Sequence, residues 1–129
     1  MKKDFRHIDT PFYYYDTALL KATLDAICAA IASQPNYYVH YAMKANANPK
    51  LMQLIREAGF GVDCVSGGEI RTAIAEGFEA DSIMFAGVGK SDWEIRLALQ
   101  LGIFSFNVES LAELEVIQEL AEQEQRIAR

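Results

Sequence analysis

From Tyr37 onward the chain repeats one unit: a short apolar run, a polar turn, an amphipathic stretch and a glycine. The first run covers residues 37–43. Asn48 and Pro49 then supply an N-cap and a proline at the first helical position, and the helix is expected to stop near Gly59. The second run, residues 61–65, leads into Ser66, with Glu69 three residues later and a stop near Gly77. The third, residues 82–86, leads through Gly87-Val88-Gly89-Lys90 into Ser91 and Glu94, with a stop near Gly102. The fourth, residues 103–108, leads into Ser110 and Glu113. Ser-x-x-Glu is a capping box, in which the serine serves a first-turn N–H and the acid reaches back to the chain before the helix. Such boxes recurring every roughly 20–25 residues mark βα units, and units this short demand parallel strands.

The pattern predicts an α/β fold, and a parallel (β/α) barrel rather than an open doubly wound sheet. An open sheet usually carries a glycine-rich first turn for phosphate. Here that turn is Ala45-Asn46-Ala47-Asn48. A complete barrel takes about 250 residues, whereas this chain has 129 and shows only about the first four βα units. It therefore reads as the N-terminal half of a barrel, with a fifth strand due where the sequence stops. Two units are expected, residues 1–36 and 37–129. In the first, Pro11-Phe12-Tyr13-Tyr14-Tyr15 reads as a strand. A helix then starts at Asp16 or Thr17, with Leu20, Leu24, Ile27 and Ile31 on one face, and Ser33-Gln34-Pro35-Asn36 ends it.

Half the residues are hydrophobic and the net charge is −6. With no basic stripe to meet phosphates, a nucleic-acid partner or an anionic membrane surface is not expected. No apolar run reaches a spanning length, so no membrane segment is expected. The start, Met1-Lys2-Lys3-Asp4-Phe5-Arg6-His7, has no apolar stretch after its charges, which argues against a secretory signal and for a cytoplasmic location. Cys28 and Cys64 lack Cys-x-x-Cys spacing and lie away from His7 and His40, so neither a zinc site nor a disulfide is expected.

Among residues able to carry chemistry, Lys44 stands out. It closes the first apolar run just before a helix start, at the strand end where barrels keep their active sites. Alternation puts it on one face with Ala42, His40 and Tyr38, and puts Met43, Tyr41 and Val39 on the other. A lysine so placed is suited to condense with an aldehyde. The plainer reading is a solvated lysine at a strand end. Asp63 ends the second strand as Lys44 ends the first. Glu69 occupies a capping box, which accounts for it without any chemistry, and Glu94 and Glu113 take the same structural reading. His40 reads as an interior residue and Cys64 as core packing. Gly87-Val88-Gly89-Lys90-Ser91 suggests a phosphate loop, but that motif needs a glycine where Met84 stands, so Lys90 reads as a loop or rim residue.

Tyr41-Ala42-Met43-Lys44-Ala45-Asn46 resembles the cofactor-lysine motif of the barrel-type, alanine-racemase-like decarboxylases that act on diaminopimelate, ornithine or arginine. Residues 11–16, 61–69, 85–91 and 106–110 resemble further segments of that family in the same order. Gly67-Gly68-Glu69 and residues 85–91 look most like the members acting on diaminopimelate.

The resemblance implies pyridoxal 5'-phosphate as cofactor and Lys44 as its covalent anchor. It implies Asp63 and Glu69 in the polar network around the cofactor, with Asp63 near the lysine nitrogen or a substrate amine. It also implies an amino-acid substrate, decarboxylation of meso-diaminopimelate to L-lysine, and a homodimer of the full-length enzyme in which residues 1–36 pack with a C-terminal β-domain. The family's ring-stacking His, glycine-rich phosphate loop, pyridine-binding acid and proton-donating Cys would all follow Arg129. The 129 residues alone are therefore expected to be inactive or nearly so. Decarboxylation of ornithine, arginine or carboxynorspermidine remains open, as does a non-catalytic half-barrel that binds cofactor or another chain.

Overall fold

The computed structural model describes residues 4–129, so the reading of Met1-Lys2-Lys3 lies outside the described residues. Helix α1 (Thr17–Ile31) precedes four parallel strands, β1 (His40–Ala42), β2 (Gly61–Cys64), β3 (Ile83–Phe85) and β4 (Ser105–Phe106). Each strand is followed by a helix: α2 (Pro49–Glu57), α3 (Gly67–Ala75), α4 (Asp92–Leu101) and α5 (Leu111–Glu124). The strands lie side by side in chain order. Barrels advance in that way, whereas doubly wound sheets reverse at a switch point.

The helices begin where the caps require. The Asp16 carboxylate accepts from the N–H groups of Ala18 and Leu19, and Asn48 serves Lys50 with Pro49 at the first helical position. The Ser66 and Ser110 hydroxyls accept from the N–H groups of Glu69 and Glu113. Gly59, Gly77 and Gly102, the expected stops, all have positive φ, and Gly102 is the left-handed cap of α4. That backbone conformation is one a side chain would strain.

The core lies on the helix side of the sheet. Val62, Cys64, Ile83 and Phe85 are fully buried there, against Met52 and Ile55 of α2, Ile70 and Ala73 of α3 and Ala98 of α4. Met43, Tyr41 and Val39 belong to this side, as alternation expects. A second cluster of Ile95, Leu99, Ile117, Leu120 and Ala121 joins α4 to α5. Helix α1 shares the first core through buried Leu24, with Leu20 and Ile27 packed beside it. In packing, then, α1 is continuous with the sheet unit.

Two expectations of local structure are corrected. Residues 11–15 form no strand: they lie outside any ladder, with Phe12, Tyr13, Tyr14 and Tyr15 all exposed. Their β-forming composition has no neighbouring strand to pair with among the described residues, and propensity alone does not make a strand. The first run yields a strand of only three residues, because the backbone at Met43–Ala45 tightens into a 3-10 turn. Beyond α5, the N–H of Phe106 donates to the carbonyl of Arg129 at 2.7 Å, so that carbonyl lies beside β4. None of the helices among the described residues is long and apolar enough to cross a membrane.

Candidate functional site

The sheet's two faces differ chemically. Register places Ala42, Asp63, Met84 and Ser105 in one row across the four strands. This row faces away from the helices, and all four residues are half-buried. Asp63 is its one ionisable member. Its Oδ1 is buried and has no hydrogen-bond partner among the described residues. Leaving a buried acceptor unmet costs about 1–3 kcal/mol, more when it carries charge, so the position suits an acceptor awaiting a donor.

Lys44 sits at the same end of the sheet, two residues past the strand partner of Asp63. It lies in the 3-10 turn rather than at the strand terminus, so alternation no longer fixes its direction. Met43 inserts into the core at 1 % exposure, and Lys44 is left exposed on the rim. It makes no hydrogen bond or ion pair among the described residues. The turn itself is held firmly. The Tyr41 hydroxyl donates to the Asn46 carbonyl at 3.1 Å, and the Asn46 side-chain oxygen accepts from the Asn48 N–H at 3.0 Å. The Asn46 amide donates to the Tyr15 hydroxyl at 3.0 Å, which ties the N-terminal segment to this turn. Hydrogen bonds around Asn46 thus order the turn that follows Lys44.

Glu69 reaches one residue beyond the N-cap Ser66. Its Oε2 accepts from the Val65 N–H at 2.7 Å, in the turn between β2 and α3. Its other carboxylate oxygen has no partner among the described residues. Its charge, with that of Asp63, reinforces the burial that pushes the Cys64 thiol up to about 12. Cys64 is therefore an unreactive core residue, as expected. His40 lies at the opposite end of the sheet from Lys44, stacked on Phe104 with ring centroids 5.7 Å apart. Burial pushes its pKa down, with Asp63 opposing that shift.

The other two boxes do more than their spacing suggests. Glu94 accepts from the Ser91 N–H at 3.0 Å, and its second oxygen accepts from the Gly67 N–H of the neighbouring unit at 2.7 Å. Burial disfavours its charge, but the hydrogen bonds from Ser91 and Gly67 outweigh that and hold its carboxyl below the usual range. The glycine at 67 leaves room for this contact: a Cβ there would meet the Trp93 ring at 2.7 Å, and that side chain would have to shift. Lys90 lies in the turn after β3, as its loop reading expects, but it is not solvated. Its side chain is fully shielded and pairs with Glu113. Nothing in the local sequence distinguishes this lysine from a solvated one, since burial depends on the next unit folding over it.

An exposed amine, an unmet carboxylate oxygen and ordered turns thus share the C-terminal edge of the sheet. These groups fit a ligand that offers an aldehyde to the amine and a donor to the carboxylate. Residues 21–129 match the family described as pyridoxal-dependent decarboxylase, pyridoxal binding domain. A diaminopimelate decarboxylase from Bacteroides thetaiotaomicron is 63 % identical over 96 % of this chain, which spans 32 % of that relative. An L-glutamyl-[BtrI acyl-carrier protein] decarboxylase from Niallia circulans is 38 % identical over 96 % of the chain and 28 % of its own length. The crystal structure of diaminopimelate decarboxylase from Helicobacter pylori complexed with L-lysine superposes with a TM-score of 0.88 at 38 % identity, covering 97 % of this chain and 32 % of that one. The chain therefore spans about a third of the length of these relatives.

Proposed function

The chain belongs to the pyridoxal-dependent decarboxylase family through its pyridoxal-binding domain, and on that premise we propose that it is the N-terminal part of an enzyme that decarboxylates meso-diaminopimelate to L-lysine. The observation that carries this reading is that the exposed Lys44 and the Asp63 Oδ1, which has no partner among the described residues, share the C-terminal edge of the sheet within the span the family matches. When bound, pyridoxal phosphate supplies an aldehyde for an amine and a pyridine ring that accepts the electron pair left by departing carbon dioxide.

Lys44 would hold the cofactor and, when released from it, could accept or return a proton at Nζ. Asp63 offers Oδ1 to the lysine nitrogen or to a substrate amine, which favours the cationic form of whichever donor it meets. Glu69 takes part through the oxygen its cap leaves free. Residues 1–36, whose helix α1 shares the sheet core, also pack with a C-terminal β-domain, and residues 37–129 form the first half of the barrel. The full-length protein works as a cytoplasmic homodimer, while the 129 residues alone turn over no faster than free cofactor.

The identity with diaminopimelate decarboxylases supports the substrate. The Niallia circulans relative, named for a different substrate, is the reason to test alternatives. The purified full-length protein, saturated with pyridoxal phosphate, should release carbon dioxide from meso-diaminopimelate with kcat/KM about 100-fold or more above ornithine, arginine and carboxynorspermidine. Preference for one of those would overturn the substrate. Release from none of them would overturn the enzyme and favour a non-catalytic binding role.

A further inference from the structure

Lys90 is the one cation that the ion pairs among the described residues remove entirely from solvent: its side chain is 0 % exposed, while the other pairs all keep exposed partners. Its Nζ donates to the Gly87 carbonyl at 2.7 Å and to the Asn107 carbonyl at 2.8 Å, and its third contact is the Glu113 carboxylate. An ammonium has three protons to give, and all three have acceptors. The same nitrogen lies 5.4 Å from the centre of the Phe85 ring. Glu113 uses its second oxygen to accept from the Glu109 N–H at 3.0 Å. One ion pair thus fastens the turn after β3 to the turn after β4 and to the first turn of α5.

Both turns lie on the edge of the sheet that carries Lys44 and Asp63. A helix cap alone would not need a buried charge. Ser110 already caps α5 through the Glu113 N–H, and Glu94 already caps α4. What Lys90 adds is the fixed spacing between two neighbouring turns.

We propose that Lys90 is a positioning residue for the cofactor pocket, holding the Gly87 and Asn107 turns in the arrangement that receives pyridoxal phosphate. This rests on the reading that the C-terminal edge of the sheet is the cofactor site. Lys90 touches neither cofactor nor substrate. It acts through the backbone it holds, and Glu113 is its required counter-charge.

The test compares wild type, Lys90→Met and the double variant Lys90→Met/Glu113→Gln in the full-length protein. Melting temperature, the pyridoxal phosphate dissociation constant from chromophore titration, and kcat and KM are measured for each. Lys90→Met should weaken cofactor binding about 10- to 100-fold, with kcat at saturating cofactor also lowered and KM little changed. The double variant, with no orphaned carboxylate, should regain much of the lost melting temperature yet keep the weakened cofactor binding. It supplies the readout if the single variant does not fold. Recovery of cofactor affinity together with stability would make Lys90 a structural brace only and overturn the proposal. So would wild-type affinity in Lys90→Met. Failure of the wild type itself to take up cofactor would overturn the reading of the site as well.

Discussion

The two faces of the sheet are built from the same strands and have opposite characters. On the helix side, Val62, Cys64, Ile83 and Phe85 are sealed among apolar side chains from three helices. On the other side, Ala42, Asp63, Met84 and Ser105 are only half-covered, and one buried oxygen among them has no partner among the described residues. The first face is complete within this chain. Its burial, about 25 cal/mol per Å² of apolar surface, drives the fold. The second gains little from burial and keeps its polar capacity for something outside the described residues. Folding and function are thus divided between alternate residues of the same strands.

The largest effect that would break this division concerns Lys44. Lys44→Ala in the full-length protein should reduce decarboxylation about 1,000-fold or more while leaving the melting temperature near wild type, because an exposed side chain with no partner among the described residues contributes little to the fold. A folded Lys44→Ala enzyme of near-normal rate would dissolve the functional assignment of the rim.

Truncation across the two faces sharpens the contrast in stability. Phe85→Ala, at a residue 0 % exposed, should cost about 3–5 kcal/mol in denaturant unfolding. Met84→Ala, one residue away on the other face, should cost about 1 kcal/mol or less. Equal costs would show that the outer row is packed as tightly as the core.

Much of the helix-side face was legible in the sequence, because local rules write it. The caps at Asn48, Ser66, Ser91 and Ser110, the stop at Gly102 and the short apolar runs around residues 61–65 and 82–86 each depend on near neighbours. The position of Lys44 near the C-terminal edge was legible for the same reason, although the 3-10 turn that lifts it was not, since Met43 reaches into a core built by later residues. The aromatic run 11–15 misled because its residues favour strands but find no strand to join. The second oxygen of Glu94 and the burial of Lys90 could not be read locally. Each depends on contact between two βα units, 27 residues apart for Glu94 with Gly67 and 23 for Lys90 with Glu113.

Two smaller effects test the polar groups. Asp63→Asn should weaken turnover about 10- to 100-fold, yet leave stability unchanged or raise it by up to about 1 kcal/mol, since the unmet charge is a cost to the folded state. A clear loss of stability would mean that Asp63 serves the fold. Glu94 gives the least. Its folded pKa lies below the ordinary carboxyl value, so its contribution is present above that value and lost as pH falls through the folded pKa. Urea unfolding of wild type should weaken more on acidification across the carboxylate range than that of Glu94→Gln, the two curves converging at the acid end. Parallel curves would remove Glu94 as the link between the second and third units.

The central claim is that the Lys44 amine is the covalent anchor for pyridoxal phosphate. Borohydride reduction of the cofactor-loaded full-length protein, followed by peptide mapping, tests it most directly. A single stable pyridoxyl label on Lys44 is expected. A label on another lysine, or no retained label, would contradict it.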